Sequence, residues 1–271
     1  MKNMSQSTDP QFPPHENTPL ITTAQPGSAY LLESITGEEI SSNLKPLDKI
    51  NGYDVRPGFY EVNGASALPG GVNFTLASHG ATSCELLLFH RKSSEPFTSI
   101  PFPEHYRIGN VFSMIVFGLK IDEFEYAYRL DGPYQPEKGL IYDKTKYILD
   151  PYAKAVTGQS EWGIHLPCTQ NCQYKSRVVR NNFDWGNSKQ PLIPMKDNII
   201  YELHVRGFTR HSSSGVHNPG TFAGLMEKIP YLKELGINAV ELMPIFEFDE
   251  MNGCREVNGR KLLDYWGYNP V

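Results

Sequence analysis

Three carboxylates lie close together in the stretch "EFDE" near the carboxyl end of the chain. Glu247, Asp249 and Glu250 come directly after the apolar run "INAVELMPI". Paired carboxylates can serve as acid and nucleophile in glycoside cleavage, and loops after strands form the active face of an α/β barrel. Catalytic pairs usually come from different strands, so a solvated acidic loop is the favoured interpretation.

A second set of ionisable residues lies upstream, on an apolar run that begins at Asn198. Glu202, His204 and Arg206 alternate there, which would place them on one side of a strand. A parallel strand is normally buried on both faces, so all three side chains would need partners. A structural layer of hydrogen bonds inside a barrel is the favoured interpretation, and a direct catalytic role is the alternative.

Two large aromatic residues, Trp266 and Tyr268, flank Gly267 in "LLDYWGYNPV". The glycine allows a sharp turn of the backbone, so either ring could be presented to a ligand. From the residues alone, packing of the loop is the plainer interpretation of both rings.

Other aromatic residues could offer flat ring faces to a ligand. The candidates are Tyr126, Tyr128, Tyr134, Trp162 and Trp185. Alternating tyrosines are more often part of a core or an interface, and that interpretation is favoured.

Composition excludes several classes of function. The formal net charge is −5 and no basic run occurs, which argues against a nucleic-acid partner. No apolar stretch approaches the ~18 residues of a membrane span, and the start has no apolar signal core, so we expect a cytoplasmic protein. Cys168 and Cys172 form a C-x-x-x-C pair without a second pair at zinc-site spacing. Ordinary reduced thiols are therefore expected, with no metal and no other cofactor.

The elements that position these residues divide into two patterns. Residues 53–158 contain short alternating runs such as "GVNFTLAS" and "SCELLLF" between turns, which predict a β-sandwich. Residues 198–271 begin with strand, helix and strand in a βαβ order, which predicts parallel neighbouring strands. Thr221 is the expected cap of the first helix, and Gly236 the expected end of a second one that starts near Pro230.

Several stretches resemble the glycogen-debranching and isoamylase branch of glycoside hydrolase family 13. In the second half they are "IIYELHVRGFT", "NPGTFAGL", "YLKELGINAVELMPIFEFDE" and "DYWGYNP". In the first half, "GVNFTLASHGATSCELLLF", "EYAYRLDGPY" and "DPYAKAV" resemble the carbohydrate-binding module family 48 domain that precedes the barrel in these enzymes.

The resemblance implies an immunoglobulin-like β-sandwich followed by the first β-α-β portion of a (β/α)₈ TIM barrel. The expected organisation is a disordered tail and lead-in (residues 1–52), the sandwich (53–158), a linker packed on the surface (159–197) and an incomplete catalytic barrel (198–271). The implied reaction is retaining hydrolysis of α-1,6 branch points in glycogen, limit dextrin or starch. The family's catalytic Asp, Glu and Asp are expected downstream of Val271, and its sugar-stacking aromatic aligns with Tyr268.

Two other interpretations stay open at this stage. The chain could be a standalone glucan-binding module without catalysis, or the start of a related α-glucan branching enzyme. A binding module alone has no use for a βαβ unit whose strand edges stay unpaired, which favours the debranching interpretation.

Overall fold

A computed structural model of the chain describes residues 44–158, 162–164, 174–180 and 183–271. Most of the predicted tail, residues 1–43, lies outside this description, and so do Cys168 and Cys172. The two cysteines within it, Cys84 and Cys254, are free thiols.

Two antiparallel sheets form the larger part of the described chain. The six strands of the first sheet are β1 (Asp48–Ile50), β2 (Tyr53–Pro57), β3 (Gly64–Leu68), β4 (Gly71–Ala77), β7 (Arg107–Ile108) and β8 (Val111–Phe117). Five of them lie in the order β1-β2-β8-β4-β3, and β7 pairs with β8 outside this order. The second sheet has five strands in the order β12-β13-β9-β5-β6. They are β5 (Ser83–His90), β6 (Pro96–Pro101), β9 (Phe124–Asp131), β12 (Ala155–Thr157) and β13 (Lys175–Arg177).

Alternating apolar residues from both sheets build one core, as the sequence predicts. Val72, Phe74 and Leu76 project into it from β4, while Cys84, Leu86 and Leu88 project from β5; all are buried. The other side chains of β5, Leu87 and Phe89, form a separate buried cluster with Ala127. Phe74 meets Tyr126 of the opposite sheet edge to face, with ring centroids 5.2 Å apart. The predicted β-sandwich is therefore confirmed.

The sandwich is larger than the predicted 53–158. β1 begins at Asp48 and pairs with β2 through the turn at Asn51 and Gly52, so the last residues of the predicted lead-in belong to the first sheet. The predicted linker also contributes a strand, because β13 pairs with both β12 and β9. The sequence signal was weak there because "KSR" carries no apolar alternation.

A buried carboxylate joins β9 to the turn before β12. Asp150 is 1% exposed, and its Oδ2 accepts a hydrogen bond from the Tyr126 hydroxyl at 2.7 Å. Its Oδ1 accepts from the Tyr152 N–H at 2.8 Å, and its own N–H donates to the Ser176 hydroxyl at 3.0 Å. Burial raises the pKa of Asp150, although these hydrogen bonds from Tyr126 and Tyr152 act in the opposite direction. Asp150 therefore links β9 and β13 to the turn before β12 through its carboxylate and its backbone N–H.

The βαβ unit is present in the order the sequence predicts. β14 (Ile200–Leu203) and β15 (Ala239–Leu242) pair in parallel, and three short helices lie between them. The helices are α1 (Val205–Arg210), α2 (Phe222–Glu227) and α3 (Ile229–Glu234). The Thr221 hydroxyl caps α2 by accepting from the Gly224 N–H at 3.1 Å. Gly236 follows α3 with a φ of +86°, and its N–H donates to the Lys233 carbonyl, so it ends this helix as predicted.

The first predicted strand of this unit is wrong at its end. β14 stops at Leu203, and His204 is the residue that caps α1. Arg206 therefore lies on a helix, and the predicted alternation of three ionisable side chains on one strand reduces to Glu202 alone.

The remaining described elements are small. Two antiparallel pairs lie outside the sheets: β10 (Tyr134–Gln135) with β11 (Leu140–Ile141), and β16 (Arg255–Val257) with β17 (Arg260–Leu262). Single turns of 3₁₀-helix occur at Glu104–Tyr106, Pro136–Lys138, Met195–Asp197 and Ser212–Ser214.

Apolar exposure differs between the two parts and leads to a first prediction. Phe222, Met226 and Ile229 on the helices between β14 and β15 are 53%, 66% and 48% exposed, whereas most apolar side chains of the sandwich are buried, with Phe97 and Ile108 among the exceptions. We expect limited proteolysis of this chain to leave a fragment containing residues 48–177 and to digest residues 198–271 first, because a less buried segment opens more readily. Mass spectrometry of the fragments measures this, and equal resistance of both parts would contradict it.

Candidate substrate-binding cleft

Tyr268 lies at an open cleft of about 390 Å³ beside the parallel strand pair. Its side chain is 66% exposed. Met243, Pro244 and Phe246, which follow the carboxyl end of β15, line the same cleft. The predicted sugar-stacking residue is thus available to a ligand at the end of the strands where α/β barrels bind their substrates.

Two glutamates share this cleft with Tyr268. Glu202 of β14 and Glu241 of β15 are directly opposite in the strand register, and both side chains are exposed. Parallel strands lie ~4.8 Å apart, so the carboxylates are neighbours on one face. Glu202 is a candidate from its sequence pattern, whereas Glu241 was not predicted. The signal was available, because "IYEL" and "AVEL" carry glutamate at the same position of two strands predicted to pair.

The backbone around Tyr268 is fixed on its carboxyl side by the loop after β15. The Asn269 side-chain amide donates to the Asp249 carbonyl at 3.0 Å, and the Val271 N–H donates to the Glu247 carbonyl at 2.9 Å. Gly267 has a φ of +78°, and a Cβ built there would lie 3.1 Å from the Phe248 ring. Gly267 is therefore required both for its backbone conformation and for the approach of Phe248.

On its amino side, the loop is held by His204. The His204 ring stacks on the Tyr265 ring, with centroids 4.5 Å apart and planes 21° apart. Trp266 meets the same imidazole edge to face at 5.8 Å. Trp266 thus packs within the loop, as its plainer interpretation predicts, although its side chain is 49% exposed.

The acidic loop is only partly the solvated segment that the sequence favours, since Glu247 is exposed while Glu250 is buried. Glu250 is 1% exposed, and its carboxylate accepts a hydrogen bond from the Gly163 N–H. Asp249 accepts from the Met251 N–H at 3.0 Å, which is a turn contact within the loop. Burial, and secondarily the charge of Glu250, raise the pKa of Glu247. The solvated interpretation fails for Glu250 because its partner is distant in the chain and cannot be identified from spacing.

The other aromatic candidates divide by burial. Tyr126 and Tyr128 are fully buried in the sandwich core, as the favoured interpretation predicts. Tyr134 and Trp185 are 70% and 72% exposed and lie outside the cleft lining. Trp162 is half-exposed, and the Arg206 guanidinium lies 4.9 Å from the centre of its ring. This contact connects α1 to the segment between β12 and β13.

A metal centre finds no support in the part of the chain that the structure describes, where His, Cys, Asp and Glu do not cluster as metal ligands do. None of the described helices has the length and apolar character needed to cross a membrane.

Comparison with known proteins shows which families this chain resembles. Residues 62–153 match the family of carbohydrate-binding module 48, described as the isoamylase N-terminal domain. The chain is 38% identical over 215 residues to isoamylase SU1, chloroplastic, of Zea mays, covering 77% of this chain and 27% of the relative. The chain is similar in sequence to part of this isoamylase.

Bacterial proteins extend the relationship. Glycogen debranching enzyme of Yersinia enterocolitica is 35% identical over 214 residues, covering 74% of this chain and 31% of that enzyme. Pullulanase SAP of Group B Streptococcus, solved in complex with maltotetraose, superposes with a TM-score of 0.55 at 25% identity. That superposition covers 70% of this chain and 25% of the pullulanase. The chain therefore spans about a quarter to a third of the length of these relatives.

Proposed function

We propose that this chain is the amino-terminal part of a debranching glycosidase, which hydrolyses α-1,6 branch points of α-glucans with retention of configuration. The observation that carries the proposal is the exposed Tyr268 ring beside a cleft at the carboxyl ends of β14 and β15. The matches to isoamylase and to glycogen debranching enzyme support the choice of reaction.

In this proposal β14, the helices and β15 are the first βαβ portion of a (β/α)₈ barrel. The exposed apolar residues on α2 and α3 would be covered in a complete barrel, which takes roughly 250 residues. The sandwich before it is the immunoglobulin-like module, with limits near 48 and 177 in place of 53 and 158. The cytoplasmic location stays a prediction, since the maize relative carries the name chloroplastic.

The proposed substrate is a branched α-glucan such as glycogen, limit dextrin or starch. Retaining cleavage passes through an oxocarbenium-like state and needs two carboxyl groups ~5 Å apart. We assign the stacking role under the innermost glucose to Tyr268 and place the acid and the nucleophile outside these 271 residues. Asp249 and Glu250 are occupied by contacts within the protein, which supports this assignment.

A chimera tests the proposal. Residues 1–271 replace the aligned amino-terminal region of the Yersinia debranching enzyme, and reducing ends released from pullulan and limit dextrin are measured. The 271-residue chain alone is the matched control. We expect release of reducing ends by the chimera and none by the chain alone.

Sugar release by the chain alone would overturn the placement of the catalytic carboxylates. A folded chimera that binds glucan without releasing sugar would favour the standalone binding module. A folded chimera that transfers chains without releasing sugar would favour the branching enzyme.

A further inference from the structure

His204 lies at the junction between β14 and α1, and both of its ring nitrogens have backbone partners. Its Nδ1 accepts a hydrogen bond from the Gly207 N–H at 3.0 Å, which caps the helix. A nitrogen that accepts from an N–H group carries no proton, so the other nitrogen, Nε2, carries it in the neutral ring. Nε2 lies 3.0 Å from the Tyr265 carbonyl oxygen, to which it can only donate. The two partners therefore select one tautomer.

The Tyr265 side chain packs closely against Gly207 of α1. A Cβ built on Gly207 would lie 2.6 Å from the Tyr265 hydroxyl, so a side chain at residue 207 would displace the tyrosine. The stacking of the His204 ring on Tyr265 and the edge contact with Trp266 fix the same two residues. Both lie directly before Gly267, whose turn presents Tyr268 to the cleft.

We infer that His204 is a positioning residue for the Tyr268 loop and acts as one tautomer that connects two backbone segments. It holds the Tyr265 carbonyl on the amino side of Tyr268, while the contacts of Asn269 and Val271 hold the carboxyl side. The importance of His204 for catalysis rests on the proposed function, whereas its connection of the two backbone segments does not.

Two substitutions separate the two hydrogen bonds. In His204→Asn the amide oxygen can still accept from the Gly207 N–H, but the side chain is too short to reach Tyr265. In His204→Gln a terminal amide donor can reach the Tyr265 carbonyl, while the acceptor at the Nδ1 position is lost. Both variants remove the aromatic stack, so their difference reports the hydrogen bonds.

Hydrogen–deuterium exchange at short times is the measurement, on peptides that cover residues 264–271 and 205–210. We expect His204→Asn to speed exchange in 264–271 about tenfold with less than twofold change in 205–210, and His204→Gln to show the larger change in 205–210. Unchanged exchange in 264–271 of His204→Asn, or an equal increase in both peptides, would overturn the inference.

The unsubstituted chain provides a second measurement if a variant does not fold. Long-range ¹⁵N–¹H spectra of ¹⁵N-histidine protein distinguish the tautomers, and we expect one imidazole locked with its proton on Nε2, correlated with the Tyr265 ring protons. A proton on Nδ1, or averaging between tautomers, would contradict it. Neither measurement involves a glucan, so an inactive chimera with these results intact would reject the proposed function alone.

Discussion

Replacing Tyr268 by alanine in an active chimera should lower kcat/KM about 2- to 30-fold. The ring face carries negative charge density and attracts a nearby cation by about 0.5–2 kcal/mol, and the oxocarbenium-like sugar is positively charged at the transition state. The upper end of that range corresponds to about 30-fold in rate, because each 1.36 kcal/mol is about tenfold. Initial rates of reducing-end release from pullulan measure the change.

Two further variants control this result. Tyr268→Phe keeps the ring and should recover most of the activity, within about threefold of the parent. Tyr134→Ala removes a tyrosine of similar exposure, 70% against 66%, from strand β10 outside the cleft lining and should leave kcat/KM unchanged. A Tyr268→Ala enzyme within twofold of the parent would leave this residue without a transition-state role.

Asp150→Ala should destabilise the sandwich by about 3 kcal/mol. The substitution leaves the buried Tyr126 hydroxyl without its acceptor, which costs about 1–3 kcal/mol, and it removes the hydrogen bond from the Tyr152 N–H, worth about 1 kcal/mol. Urea unfolding followed by tyrosine fluorescence and circular dichroism measures the free energy of unfolding.

Asp143 provides a matched surface control for this prediction. Its Oδ1 accepts from the N–H two residues ahead, in Thr145, just as Asp150 accepts from Tyr152, but it is exposed. Asp143→Ala should therefore have a much smaller effect. Tyr126→Phe combined with Asp150→Ala should cost less than the sum of the two single changes, because the orphaned hydroxyl is then absent. Full additivity, or equal losses for both aspartates, would show that the buried network does not carry this stability.

Local patterns in the sequence predict much of this fold. The alternation of Val72, Phe74 and Leu76 correctly predicts which side chains enter the core. Thr221 and Gly236 mark helix ends correctly because capping and left-handed backbone depend on the residue itself and its nearest neighbours. The stacking role of Tyr268 comes only from the family resemblance and is still a prediction.

Several of the failures share a physical cause, which is dependence on distant partners. The apolar run gives no sign that the strand ends at Leu203. The strand ends there because His204 makes hydrogen bonds with the Gly207 N–H and the Tyr265 carbonyl. Glu250 reads as a surface residue until its contact with Gly163 is known. β13 likewise has no strand pattern of its own and is a strand through its pairing with β9 and β12.

Strand β6, an edge strand of the second sheet, begins with Pro96 and ends with Pro101. Proline has no N–H to donate, so neither end of this edge strand can continue a ladder of hydrogen bonds. An extended strand from another molecule would find its register interrupted at each end. Prolines at sheet margins are among the features that keep β-proteins from adding to one another edge to edge. The sequence "PFTSIP" thus protects the sandwich against aggregation, a property that matters most while the segments following it along the chain are still unfolded.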